Sequence, residues 1–92
     1  MIYFNYKVKG VLDMEINKND FQAIFFHQEQ SVIITYKGKH LFTLEREQIE
    51  PKGILEIQND NNKILDVVID WYEYIIKQFL SGVDHDEIDW SI

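Results

Sequence analysis

The chain has 92 residues, 46% hydrophobic and 27% charged, with 9 Lys+Arg against 16 Asp+Glu and a formal charge of −7. That length suits a single domain, and the acidic balance disfavours nucleic acid and anionic lipid as partners, because both call for a basic footprint. Cysteine is absent, which excludes disulfides, thiolate metal sites and a thiol nucleophile.

The first half reads as strands. From Ile2 to Ile16 the even positions are Ile2, Phe4, Tyr6, Val8, Gly10, Leu12, Met14 and Ile16, and the odd ones are mostly polar. Such period-two alternation predicts a half-buried strand surface, bent or looped near Gly10 because strands rarely run so long. It also lacks the basic-then-apolar order of a secretory signal, and no segment approaches the roughly 18 apolar residues of a membrane span. The expected location is therefore cytoplasmic, with no membrane partner.

Further strands are predicted at Phe21–Gln28, Ser31–Lys37 and His40–Glu45, each rich in aromatic and β-branched residues. Gly38-Lys39 is the natural pair for a type II′ turn, which would set Tyr36 opposite Leu41, Ile34 opposite Thr43, Thr35 opposite Phe42 and Ile33 opposite Leu44. Both faces of that hairpin would then carry large apolar groups and need covering, by a folded-over sheet or a partner chain. Glu45–Gly53 reads as a charged connection, and Ile54–Gln58 as a last short strand.

Asn59, Asp60, Asn61 and Asn62 offer N-cap chemistry for a helix over residues 62–80, and Gly82 stands where a left-handed C-cap would end it. At 100° per residue, Lys63, Asp66, Asp70, Glu73 and Lys77 form one polar stripe, and nearly everything else is apolar. The apolar arc exceeds what one sheet face needs, so a homodimer that covers it is one expectation. The tail 83–92 is acidic and carries Ile88, Trp90 and Ile92; it either folds back on the helix or stays open to a partner.

Residues 1–54 carry seven acids and seven bases, whereas residues 55–92 carry nine acids against Lys63 and Lys77, so the whole −7 belongs to the second part. No motif gives that part a chemistry. Asp84-His85-Asp86-Glu87-Ile88-Asp89 fails the EF-hand pattern at its fifth and sixth positions, and His27, His40 and His85 form no ligand spacing. Ser31, Ser81 and Ser91 lie in no nucleophile elbow, and Gly10, Gly38, Gly53 and Gly82 are too scattered for a phosphate loop. We therefore expect no enzyme activity, no metal and no cofactor.

The order of antiparallel strands followed by one C-terminal helix carrying Trp71 resembles the pleckstrin-homology-like architecture in outline, and Lys7-Val8-Lys9-Gly10 is similar to the basic first loop of its lipid-binding members. The resemblance implies a split barrel as an alternative fold and transfers no function. The fold expected from the residues is α+β: a curved antiparallel meander of five or six strands, then one C-terminal helix packed on the sheet. Residues 1–82 would form the domain and 83–92 an acidic tail. The expected function is a small acidic protein-binding module, an inhibitor or immunity protein or a nucleic-acid mimic, that blocks a partner's basic surface. Its contacts would be Asp66, Asp70, Glu73, Trp71, Tyr74, Asp84, Asp86, Glu87, Asp89 and Trp90. The alternative is a homo-oligomeric structural or accessory protein without catalytic activity.

Overall fold

The structure is a computed structural model that describes residues 15–88 and residue 90. It is α+β. A 3-10 turn (Lys18–Asp20) leads into β1 (Phe21–Phe26), β2 (Ser31–Tyr36) and β3 (Lys39–Leu44). There follow a short helix α1 (Arg46–Ile49), two 3-10 turns (Glu50–Lys52 and Ile54–Ile57), α2 (Asn61–Leu80) and a last 3-10 turn (His85–Glu87). The chain divides into two compact units, Asn17–Trp71 and Met1–Ile16 with Tyr72–Ile92.

In the first unit the strands form one antiparallel sheet in the order β1-β2-β3. The expected strand Ile54–Gln58 is helical, so the described residues hold three strands in one sheet where five or six were expected. Of the alternating stretch Ile2–Ile16, Glu15 and Ile16 lie in irregular backbone, and the rest lies outside the described residues. β1 ends at Phe26, two residues before the expected Gln28.

The β2–β3 turn differs by one residue from the expected one. Lys37 and Gly38 both have positive φ, 52° and 82°, the signature of a type I′ turn, and Tyr36 pairs with Lys39. Thr35 then faces His40, but Ile34 faces Phe42, so Leu41 is an extra residue in β3. That bulge puts Phe42 and Leu44 on the same face as Ile34 and Val32. The type II′ register would have sent them to the opposite face. Only one face of the sheet is therefore strongly apolar, and the expectation of two large apolar faces is corrected.

Phe21, Ala23 and Phe25 of β1 join this face, and all seven side chains are buried. Ile64, Leu65 and Val68, from the first half of α2, pack on it. Ile49 and Ile54 complete the core with no measurable exposure, although the sequence placed them in a connection and a strand. The connection is helical because Gln48 Oε1 accepts the Glu45 N–H at 2.8 Å, Pro51 sits in the first turn of its 3-10 segment, and Gly53 closes that segment at φ 74°. Each fully buried isoleucine is worth about 1.5–3 kcal/mol, so these two turns matter to stability.

Helix α2 begins and ends as its sequence implies. Asp60 Oδ1 accepts the N–H groups of Asn62 and Lys63, both at 3.1 Å. At the other end Val83 N–H donates to Gln78 O and Gly82 N–H to Phe79 O, with Gly82 at φ 80°, which is the Schellman closure. Within α2, however, Tyr72 has φ −119° and ψ 19°, outside the helical region. No Pro or Gly stands in the helix to account for it. In the second unit Ile75, Ile76, Lys77 and Gln78 are consecutive and all buried, so this end of the helix is covered on more than one side. Lys77 was expected in the exposed stripe and is instead 7% exposed.

Asp60→Ala should remove the cap and cost about 1 kcal/mol in urea unfolding, with Asp60→Asn restoring most of it. Lys37→Asn should gain a few tenths to about 1 kcal/mol, because Asn tolerates the left-handed backbone that Lys37 adopts.

Candidate functional site

The sequence-derived contact residues fall into both units. In the first, Asp66, Asp70 and Trp71 lie on the solvent side of α2. Over residues 61–71 the helical angle places Asp66, Asp70, Lys63, Val67 and Trp71 in that order across an arc of about 140°. Asp66 and Asp70 are exposed and Trp71 is 53% exposed. Both rims of the arc already hold a cation from the first part of the chain. Lys18 Nζ forms an ion pair with Asp66, and Lys52 Nζ stands 4.0 Å from the centre of the Trp71 ring. With Lys63 on the arc itself, three lysines accompany two aspartates, so this face is not acidic.

In the second unit the balance is different. Glu73 is exposed, and its carboxylate lies 3.7 Å from Lys77 Nζ. Lys77 is the one Lys or Arg between 72 and 92, and it is buried. Tyr74 is half-buried. The projection that joined Asp66, Asp70 and Glu73 into one stripe assumed an unbroken helix, and the backbone at Tyr72 interrupts it.

The start of the tail is built. Asp84 Oδ1 accepts the Asp86 N–H at 3.1 Å, and Glu87 N–H donates to Asp84 O at 2.9 Å, which winds His85–Glu87 into a 3-10 turn. Asp84, Asp86 and Glu87 are exposed on it. Ile88 is buried, and the half-buried Trp90 ring meets Tyr72 and Phe79 edge-on at 6.3 and 6.0 Å between centroids. Of the two courses left open for the tail, the described part takes the fold-back onto its own helix, and Trp90 has an internal contact. Asp89 lies outside the described residues.

Among the described residues no three His, Asp or Glu side chains converge as metal ligands. A shallow cleft of about 250 Å³ opens beside β1 and the start of α2, lined by apolar side chains and the carboxamides of Gln22, Asn61 and Asn62. Its lining includes no acid, base or nucleophile. No described helix is long and apolar enough to cross a membrane. Comparison of the chain with family models, curated proteins and solved structures finds no match.

The residues that sequence reasoning missed are Lys18 and Lys52. They were counted in a neutral segment, whereas Lys18 reaches Asp66 across 48 positions and Lys52 reaches Trp71. No local pattern announces such pairs. Short-range signals were available for the tail turn, since Asp at the cap position two residues before another polar residue is ordinary capping chemistry.

Burial raises the Tyr72 phenol above its ordinary value near 10. The folded state then holds the phenolic proton more tightly than the unfolded state does. Its contribution is complete below about pH 10 and is lost as pH rises through the folded value. Tyr72→Phe should flatten the fall of the urea midpoint above about pH 10 while leaving its pH dependence near neutrality unchanged.

Proposed function

We propose that this chain is a small acidic protein-binding module that blocks a basic surface on a partner protein, without catalytic chemistry of its own and acting in the cytoplasm. The observation that supports this most directly is the exposed turn bearing Asp84, Asp86 and Glu87, followed directly by the buried Ile88 and by Trp90, whose ring meets Tyr72 and Phe79. A carboxylate cluster on an ordered turn spends less conformational entropy on binding than one on a loose tail. Asp70, Trp71, Glu73 and Tyr74 are secondary contacts in this reading. Asp66 contributes least, because Lys18 already neutralises it.

A second reading, a homo-oligomeric accessory protein, draws support from Ile24 and Phe26, which are 38% and 40% exposed on one strand.

The first reading is tested by immobilising the chain, passing host lysate over it and eluting with a salt gradient. A basic protein should elute at moderate salt. The triple change Asp84→Asn, Asp86→Asn, Glu87→Gln should lower its association rate by about tenfold at low salt and reduce the salt dependence. An unchanged rate and salt slope for the triple variant would overturn the assignment.

A further inference from the structure

On the face of the sheet opposite the core, Ile24 lies directly across from Ile33, and Phe26 follows Ile24 on the same side of β1. Ile24 and Phe26 are two of the three exposed large hydrophobic side chains among the described residues, and Ile33 is half-buried. The positions that the pairing register assigns to this face include no Asp or Glu, and His40 is its one titratable side chain. A chain of charge −7 repels a second copy of itself, and least so through a face that carries none of its carboxylates. We propose that this outer sheet face, centred on Ile24 and Phe26, is a self-association surface, and that two copies meet there face to face in a weak, salt-strengthened dimer.

The expected strength follows from size. Three strands spaced about 4.8 Å apart and six residues long at about 3.3 Å each present about 300 Å² of sheet. Stable complexes bury roughly 800 Å² per partner, so this contact falls in the transient range. The sign of the salt effect follows from charge. The contact itself is uncharged, and the opposing force is the long-range repulsion between two acidic bodies, which salt screens. The inference rests on the homo-oligomer reading and is independent of the acidic turn. Binding through Asp84, Asp86 and Glu87 would weaken with salt, whereas self-association here strengthens.

Sedimentation equilibrium of the full chain over about 10–500 µM tests it, in roughly 20 mM and 500 mM NaCl, a range across which the screening length falls several-fold. The apparent mass should stay near 11.1 kDa at low salt and climb towards twice that at high salt and concentration. Ile24→Lys with Phe26→Lys should hold the protein monomeric at every salt with an unchanged circular dichroism spectrum, since both side chains are exposed. Phe26→Ala, a milder change, should raise the dimer dissociation constant by about tenfold, in line with the loss of one central aromatic anchor. A monomer throughout, a dimer that survives both lysines, or a dimer that salt dissociates would each overturn the proposal. None of these results bears on whether a basic protein binds the turn at 84–87.

Discussion

The described sheet depends on the extra residue that β3 carries between His40 and Phe42. Side chains alternate across a strand, so without Leu41 in its bulge the register set by the Lys37-Gly38 turn would have turned Phe42 and Leu44 away from Ile34 and Val32. With it, three strands present one continuous apolar face, and the first half of α2 has a surface to pack on. The bulge also leaves the outer face thinly apolar, bearing Ile24, Phe26 and Ile33 instead of a second core. The pairing of the core and the character of the outer surface are thus consequences of the same insertion.

Charge follows a comparable logic of redistribution. Counted along the chain, the whole imbalance belongs to residues 55–92, but folding moves cations across that boundary. Lys18 and Lys52 settle on Asp66 and Trp71, and Lys77 withdraws beneath the surface beside Glu73. The exposed Lys18–Asp66 pair contributes little stability, roughly 0–1 kcal/mol. The effect of these lysines lies in the field: the face of α2 in the first unit becomes mixed, while Asp84, Asp86 and Glu87 stay exposed on the turn at 84–87. Folding has narrowed a broad acidic half to a few residues.

Much of the architecture could be read from local chemistry. Asp60 and Gly82 announce the two ends of α2, and the β-branched and aromatic runs announce three strands, because caps and pleat patterns act over a few residues. Three features were not legible, for different reasons. The choice between Gly38-Lys39 and Lys37-Gly38 as turn centre turns on a Lys accepting positive φ, which propensity argues against. Ile54 and Ile57 fit a short strand as readily as a 3-10 turn, and Gly53 and Pro51 decide the matter through backbone geometry. The counter-cations of Asp66 and Trp71 are tertiary contacts with no periodic signature. The internal contacts of Trp90 with Tyr72 and Phe79 likewise needed the fold.

The Schellman closure at Gly82 has a kinetic side. By reversing the chain directly after Leu80, it brings Trp90 back to Tyr72 and Phe79, side chains fewer than twenty positions away in sequence. Closing so short a loop costs little entropy, and contacts of low sequence separation form early in folding. The acidic turn therefore has the means to assemble with the last turns of its helix, without waiting for the slower registration of β1, β2 and β3.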